Sequence, residues 1–339
     1  MRRLLVTTWA LAAIAGLGAP AAVAQSPLAD LDNPWLERRV LNMAHQGGEI
    51  EAPSNTLYAL KTAREKGSDV LEIDVHATAD GELVVIHDAT VDRTTNGAGR
   101  VDSLTLEQIK ALDAAHWFVP GCGTCRNRPA GEYTLRGLAT GEREIPPELA
   151  GFEPNDFTIP TLREVLETFP RALVNIEIKS TAPDTAPYEE ELARLLAEFG
   201  RTRDTIVVSF LDHATERFKL FAPEVDTATG TGQAALFWAS AQGPAPGAPN
   251  PRYQALQVPI QLEGITVVTP EFVQRAHASG LAVHVWTIND RAEMEWLVGI
   301  GVDGIMTDRP TLLEEVLGEL KAKYRAPPPG RALGRSPRP

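Results

Sequence analysis

Two carboxylates interrupt an apolar stretch that begins at Val70 with the sequence VLEIDVHATADGELVVIHD. Its first half has the aliphatic bulk of a buried strand, and Glu72 and Asp74 stand two residues apart within it. Residues two apart on a strand point to the same side, so both acids share one face. Burying unpaired carboxylates costs several kcal/mol, and no basic residue lies within this strand. We therefore interpret both acids as ligands of a cation rather than as salt-bridge partners.

Three further apolar runs end in charged or titratable side chains. The run ELVVIHD reaches His87, RVLNMAHQGGE reaches His45 and two glycines, and RALVNIEIKS carries Glu177 and Lys179 two residues apart. Charged groups at the ends of apolar strands are typical of a parallel α/β fold with its site at the carboxyl ends of the strands. We expect these side chains to meet the first two acids there.

Hard oxygen ligands favour magnesium or calcium over a softer metal. We predict one divalent ion, Ca²⁺ or Mg²⁺, held by three acids, Glu72, Asp74 and Glu177. For Glu177, a salt bridge to Lys179 is the alternative. Two imidazoles beside such an ion, His45 and His87, can do acid–base chemistry on a phosphate ester. One takes a proton from the nucleophile and the other gives one to the leaving oxygen, while the cation and Lys179 offset the phosphoryl charge.

Two further histidines and a tryptophan are placed by strand parity. His284 and Trp286 are two residues apart and share a strand face. Because Trp286 is nearer the carboxyl end, we interpret it as a residue of the site mouth and His284 as a hydrogen-bonded core group one layer below. His76 continues the parity of the two acids on its strand, so we expect it to support the site from behind.

Strands and helical segments alternate over most of the 339-residue chain. Eight strands are predicted, and their count and order are those of an α/β (β/α)8 TIM barrel. We expect Ser54 to cap the helix that follows it. The formal charge of −13 argues against a nucleic-acid partner, which requires a basic surface. The predicted barrel strands are 40–44, 70–75, 172–178, 205–210, 225–229, 253–259, 282–287 and 304–307.

Residues 92–157 break this alternation and form a long insertion after the second strand, rich in Gly, Pro and charge. Long irregular segments in compact domains are usually functional, for example as lids or substrate collars, and a passive decoration is the alternative. Three aromatic residues of the insertion could form an apolar collar for an acyl chain, namely Trp117, Phe118 and Phe152.

The insertion contains both cysteines of the chain, Cys122 and Cys125. Their C-x-x-C spacing also occurs in zinc and redox sites. However, structural zinc needs four ligands, and a redox motif opens a helix, whereas this pair lies between glycines. We interpret the pair as a disulfide that closes a small loop in an exported protein.

The first 24 residues have the pattern of a secretory signal peptide, with two arginines, an apolar run and small residues up to Ala24. The apolar run is shorter than the roughly 20 residues that a membrane span needs. We therefore expect cleavage after Ala24, rather than a membrane anchor, and a secreted or periplasmic protein. The catalytic domain is expected over 25–324, followed by a disordered Pro/Arg-rich tail over 325–339.

Several motifs together resemble one family. The segments AHQGGE, APSNTLYALKTA and GSDVLEIDVHATADGELVVIHDATVDRTT are similar to the N-terminal signature of the glycerophosphodiester phosphodiesterases. VNIEIK, HVWTIN and GIMTDRP resemble the later motifs of that family, in the same order. The resemblance covers roughly residues 40–310. It implies a (β/α)8 barrel, a single divalent metal, and cleavage of glycerophosphodiesters to sn-glycerol 3-phosphate and an alcohol.

The resemblance also implies roles for individual residues. His45 and His87 would be the acid–base pair, Lys179 would contact phosphate, and Trp286 would line the substrate pocket. The metal ligands would be Glu72, Asp74 and Glu177. A neighbouring hydroxyl of the substrate would act as nucleophile and form a cyclic phosphate first, which is intramolecular positioning.

Two positions depart from the family pattern. The family usually has His-Arg-Gly where this chain has His45-Gln46-Gly47, and it has Glu where this chain has Ser54. The two missing charges are opposite, which is consistent with their loss as a pair. Gln46 can still donate a hydrogen bond to substrate, although without charge. We therefore count it among the substrate-binding residues.

We predict metal-dependent hydrolysis of a small-molecule glycerophosphodiester, with no nucleic-acid partner and no stable membrane span. One alternative is a phospholipase D that acts on lysophospholipids or sphingolipids. Another is a non-catalytic phosphodiester-binding protein, although the presence of both histidines and all three acids argues against it.

Overall fold

The computed structural model describes residues 33–36, 40–243 and 252–321, so the predicted signal peptide and tail lie outside the described residues. Within these ranges the strands are β1 Leu41–Ala44, β2 Val70–Ala77, β3 Leu83–Val85, β4 Phe118–Val119, β5 Gly123–Thr124, β6 Leu173–Ile178, β7 Thr205–Val208, β8 Asp226–Thr227, β9 Ala255–Val258, β10 Gln261–Leu262, β11 Ile265–Thr266, β12 Ala282–Val285 and β13 Gly304–Thr307. The α-helices are α1 Leu57–Glu65, α2 Leu106–Lys110, α3 Leu162–Thr168, α4 Glu189–Glu198, α5 Asp212–Phe221, α6 Thr231–Ala241, α7 Pro270–Ala278, α8 Arg291–Ile300 and α9 Pro310–Glu319.

Eight parallel strands form a barrel in chain order, from β1 through β2, β6, β7, β8, β9 and β12 to β13, which pairs back with β1. Between β8 and β9 the contact is a single parallel bridge from Ala228 to Ala255, and this bridge completes the ring. The predicted TIM barrel is therefore confirmed. Strand β3 pairs antiparallel with β2 and carries the chain back to the top of the barrel, near His87.

Threonine side chains begin several of the helices. The Thr56 hydroxyl accepts a hydrogen bond from the backbone N–H of Ala59 at 3.1 Å, which caps α1. The expectation that Ser54 caps this helix is wrong, because the Ser54 hydroxyl instead donates to the side-chain oxygen of Gln46. The same kind of cap begins α2, α3 and α7, at Thr105, Thr161 and Thr269.

The barrel interior changes along its axis from apolar to polar. At the amino-terminal end, Trp35 is 1% exposed, packs among the apolar interior residues and donates its indole N–H to Asp226 at 2.8 Å. One layer higher, the Gln257 amide lies 2.7 Å from the Asn175 oxygen and 3.2 Å from His284 Nδ1. The expectation of a buried, hydrogen-bonded His284 is confirmed. The charged groups occupy the layer above, at the carboxyl ends of the strands.

The insertion over 92–157 follows β3 and packs on the loop after β1, where the Gly121 N–H donates to the Ile50 carbonyl at 3.0 Å. Cys122 and Cys125 are joined by a disulfide at the small β4–β5 hairpin. Among the described residues, no helix is long and apolar enough to cross a bilayer.

Candidate active site

A cleft of about 660 Å³ opens at the carboxyl ends of the barrel strands, a size typical of small-molecule sites. Most of the residues predicted for the site line it, namely His45, Glu72, His87, Glu177, Lys179 and Trp286. Asp74 and Gln46 are buried directly behind its surface, at 0% and 1% exposure. The barrel has therefore gathered side chains from five separate parts of the sequence.

Strand register brings the three acids together. Glu72 and Asp74 share a face of β2, and Asp74 stands directly beside Glu177 of the parallel neighbour β6. One oxygen from each carboxylate lies within 4.8 Å of the other two. The backbone N–H of Gln46 donates to Glu72 Oε2 at 2.8 Å, and the Asn55 amide donates to Asp74 Oδ2 at 2.8 Å. Both acids of β2 are thus fixed in place.

The acids repel one another in a setting that excludes water. Burial, and then the charge of Asp74, raise the pKa of Glu72 to about 8 and also raise the pKa of Glu177. Lys179 Nζ lies 3.0 Å from Glu177 Oε1 and 3.4 Å from Asp74 Oδ1. Burial acts to lower the pKa of Lys179, but the charges of these two acids outweigh it and raise that pKa. One ammonium group beside three acids leaves an excess of negative charge.

This donor set fits a hard divalent cation. Asp74 Oδ1 is buried and accepts no hydrogen bond, although Asn55 holds the other oxygen of the same carboxylate. Carboxylate oxygens are the ligands that Mg²⁺ and Ca²⁺ prefer, and a divalent ion would supply the positive charge that Lys179 alone does not. The three clustered acids could therefore hold one such ion.

A tight turn after β1 presents His45 to the cleft. Its Nδ1 lies 2.6 Å from Asp308 Oδ1, and the other oxygen of Asp308 accepts from the Asn289 amide at 2.6 Å. Burial acts to lower the pKa of His45, but the hydrogen bond to Asp308 and the charge of Glu72 outweigh it and raise the pKa to about 9. The surroundings therefore favour the imidazolium, which is the form that can give a proton.

His87 has a different environment. Its Nδ1 lies 2.7 Å from Asp88 Oδ1, and Arg93 Nε donates to the other oxygen of Asp88 at 2.9 Å. Lys179 Nζ lies 3.1 Å from His87 Nε2, and because an ammonium group can only donate, the imidazole nitrogen is the acceptor of this contact. His76 Nε2 lies 3.2 Å from the His87 carbonyl and supports the backbone there. The arrangement leaves His87 with a lone pair that can take up a proton.

Gln46 and Ser54, which replace the charged residues of the family pattern, are in contact. The Ser54 hydroxyl donates to Gln46 Oε1, and Gln46 Nε2 lies 3.3 Å from His45 Nε2. The two uncharged residues thus form one buried pair, which fits the idea that opposite charges were lost together. The next residue, Gly47, has φ +81°, and a Cβ there would lie 2.7 Å from Ala59 Cβ, so the turn requires glycine.

The residues that hold this site in place, chiefly Asp308, Asp88 and Asn55, were not predicted from the sequence. Strand parity could have found the first of these. Gly304 and Met306 face the barrel interior, and Asp308 continues the same alternation just beyond β13. No comparable pattern marks Asn55, which adopts φ 57° in the loop before α1.

The expectation that the insertion forms an apolar collar is wrong, since none of its three aromatic residues lines the cleft. Phe118 is 4% exposed and packs inside the insertion, and Phe152 packs on Tyr58 with ring centroids 4.7 Å apart. Trp117 donates its indole N–H to the Thr95 carbonyl at 2.8 Å. The apolar walls of the cleft come instead from α6 and from the β10–β11 hairpin.

Known proteins share this sequence pattern over most of the chain. The sequence model of the glycerophosphoryl diester phosphodiesterase family matches residues 45–312. A glycerophosphodiester phosphodiesterase from Caldanaerobacter subterraneus subsp. tengcongensis is 34% identical over 283 residues, which cover 81% of this chain and 96% of that protein. Another from Bacillus subtilis is 30% identical over 293 residues, which cover 82% and 86%.

Solved structures show the same architecture. A glycerophosphodiester phosphodiesterase from Agrobacterium tumefaciens superposes with a TM-score of 0.59 at 26% identity, covering 80% of this chain and 98% of that one. A phosphodiesterase from Oleispira antarctica, solved in complex with the product sn-glycerol 3-phosphate, shares the fold with a TM-score of 0.57 at 23% identity, covering 81% and 96%. The chain therefore belongs to the glycerophosphoryl diester phosphodiesterase family and is a phosphoric diester hydrolase.

Proposed function

We propose that this protein hydrolyses glycerophosphodiesters to sn-glycerol 3-phosphate and an alcohol, with one Ca²⁺ or Mg²⁺ ion bound. One observation carries the proposal: two carboxylate-bound histidines and three clustered acids meet at one cleft. The names of the relatives support this substrate class, and the product held by the Oleispira antarctica phosphodiesterase supports the proposed product.

In the proposed mechanism the two histidines divide the proton transfers. His87 takes the proton of the attacking hydroxyl at Nε2, the nitrogen that accepts from Lys179 in this structure. His45, kept protonated by Asp308, gives a proton to the oxygen of the departing alcohol. The attacking group is a neighbouring hydroxyl of the glycerol, so a cyclic phosphate forms first and water then opens it.

The remaining residues of the proposed site bind and orient the phosphate. A divalent ion held by Glu72, Asp74 and Glu177 would supply positive charge that offsets the phosphoryl oxygens. Lys179 adds a second positive charge on the same side of the cleft, and Trp286 forms part of the substrate wall. Gln46 acts through His45 in this proposal, because its side chain lies against that imidazole rather than on the cleft surface.

Hydrolysis of glycerophosphocholine tests the proposal. The protein is stripped with a chelator and assayed before and after Mg²⁺ or Ca²⁺ is restored. We expect metal-dependent release of choline and glycerol 3-phosphate, and a loss of about 10²–10⁴-fold in His45→Ala and in His87→Ala. The matched control is His213→Ala, because His213 is exposed and does not line the cleft.

Two outcomes contradict the proposal. If neither metal restores activity, and the histidine variants equal the wild type at background level, the protein is not an enzyme of this kind. Calorimetric binding of glycerophosphocholine without turnover would then favour the non-catalytic phosphodiester-binding alternative.

We also propose that residues 1–24 direct the protein out of the cytoplasm and are removed after Ala24, on the signal-peptide pattern of that segment. Mass spectrometry of the protein from cell fractions tests this. An N-terminus at Gln25 in the periplasmic or secreted fraction supports the proposal, and an uncleaved chain in the cytoplasm contradicts it.

A further inference from the structure

The catalytic cleft continues beyond its charged groups into an apolar extension. We name it the apolar arm, and it is lined chiefly by Phe210, Ala234, Trp238, Leu262, Ile265 and Trp286. Its walls are the helix α6, the β10–β11 hairpin and the ends of β7 and β12. The arm belongs to the same cleft as the two histidines and the acids, so a molecule bound at the phosphate site can extend into it.

The arm begins directly beside the phosphate-binding group. Lys179 Nζ lies 5.9 Å from the centre of the Phe210 ring, and Phe210 meets Trp286 edge-to-face with ring centroids 5.4 Å apart. If a substrate places its phosphate near Lys179, the atoms bonded next to that phosphate therefore lie against an aromatic wall. This position distinguishes the arm from an apolar patch elsewhere on the surface.

The arm is apolar although it is open to water. The helix α6 contains no charged residue along its 11 residues. On the rim, Phe210, Leu262 and Ile265 are 51%, 52% and 49% exposed. Soluble proteins rarely expose large contiguous apolar surfaces to solvent, and the surfaces of this kind that they do expose are often binding sites. Here the surface is continuous with the catalytic groups, which points to the substrate as its occupant.

We propose that the apolar arm binds a single alkyl or acyl chain of the substrate, so that the enzyme acts on amphiphilic phosphodiesters. This inference rests on the proposed function, since it assigns the substrate class of the same site. The chain could be carried by the departing alcohol or by the glycerol, because both place an apolar chain next to the phosphate. The experiment separates these two sources.

The test measures kcat/KM against chain length, below the micelle concentration of each substrate. One series consists of glycerophosphodiesters of ethanol, butanol, hexanol and octanol. The other consists of lysophosphatidylcholines with acyl chains of increasing length. We expect kcat/KM to rise about two- to fourfold for each added methylene until the chain outgrows the arm. The series that shows this rise identifies which side of the phosphate carries the chain.

A double variant, Leu262→Ser with Ile265→Ser, locates the effect. Both side chains are half exposed on a short hairpin, so their replacement should leave the barrel folded. We expect the ratio of kcat/KM for octyl over ethyl substrate to fall at least about tenfold. The matched control is Leu220→Ser on α5, which is 78% exposed and does not line the cleft, and it should keep the wild-type ratio.

Several results would overturn the inference. Hydrolysis of the ethyl substrate without any rise along either series would leave the proposed function intact and show that the arm does not bind a chain. A rise that persists in the double variant would place the chain elsewhere. If the double variant changes only vesicle co-sedimentation or the sedimentation coefficient, a lipid surface or a second copy covers the arm instead.

Calorimetry with methyl, butyl and octyl phosphate keeps the inference testable if no diester is hydrolysed. These monoesters contain no diester bond, so their binding does not depend on turnover. A dissociation constant that falls along this series in the wild type, but not in the double variant, supports the arm. Equal affinities for all three phosphates overturn it.

Discussion

Replacing Asp308 by Asn tests whether the carboxylate beside His45 sets the protonation of that imidazole. The two side chains are 2.6 Å apart, and the His45 side chain is only 20% exposed. A hydrogen bond between charged partners contributes roughly 1.5–3 kcal/mol, and each pKa unit corresponds to about 1.4 kcal/mol. Because Asn carries no charge, we expect the pKa of His45 to fall by about one to two units.

The pH profile of kcat/KM with glycerophosphocholine, at saturating metal, shows this change. As the proposed general acid, His45 must carry a proton, so activity falls as pH rises through its pKa. A lower pKa moves this alkaline limb toward lower pH, by about one to two units. A bound cation offsets the neighbouring acids and itself lowers the pKa of His45 from the value of about 9. The comparison is therefore made between variants at the same metal concentration.

Asp290→Asn is the matched control. Asp290 is exposed at the start of α8, where Asn caps a helix about as well as Asp. It removes one negative charge near the same end of the barrel without touching the cleft, so its profile should equal that of the wild type. An alkaline limb that stays in place in Asp308→Asn, with kcat unchanged, would refute the role assigned to Asp308.

Three further predictions concern the buried groups of the barrel. In Glu177→Gln, calorimetry should show that the affinity for Mg²⁺ or Ca²⁺ falls by more than the roughly 10–100-fold typical of losing a residue that only supports a metal ligand. Thermal unfolding in chelator should show no loss of stability, because one of the repelling acids is gone. A metal affinity equal to that of the wild type would contradict the assignment of Glu177 as a ligand. Burial lowers the pKa of His284 to about 4, below its value of 6.5 in the unfolded chain. Between these two values the unfolded chain binds a proton that the folded protein does not, so the free energy of unfolding is full above pH 6.5 and decreases as pH falls from 6.5 to 4. Urea unfolding should show the wild type losing about 3 kcal/mol more than His284→Asn across that range, and parallel losses in both proteins would count against a neutral buried imidazole. Gln46→Arg alone should destabilise the fold by roughly 3–5 kcal/mol in urea unfolding, since it buries an unpaired charge. Adding Ser54→Glu should restore most of that stability. A double variant that is no more stable than the single one would show that the two positions are not an exchangeable pair.

Strand parity predicted much of the site because it is a local property. Glu72 and Asp74 share a face whatever surrounds them, and so do Glu177 and Lys179. Apolar runs ending in such groups predicted a parallel α/β fold with its site at the carboxyl ends, and the count of eight alternating strands predicted the barrel. The same parity predicted that His284 lies one layer below Trp286, and the fully buried His284 agrees.

Other expectations failed because they depended on which partners the folded chain offers, and side-chain type alone does not determine those partners. Ser54 has the chemistry of a helix cap, but Gln46 offers its hydroxyl another acceptor, and Thr56 caps the helix instead. Phe118 and Phe152 have the apolar surface of a collar, but the insertion uses both in its own packing.

The sequence by itself determined the fold class, the family and the residue types of the site, because these follow from short-range periodicity and from motifs that are contiguous in the chain. Only the tertiary structure decided which groups act on one another. Asp308 and His45 are 263 positions apart in the sequence and 2.6 Å apart in space. Closure of the barrel joins the last strand to the first and creates that contact. The position of α6 and the β10–β11 hairpin beside the cleft was decided in the same way, because packing around the closed ring, rather than any local pattern, sets which loops border it.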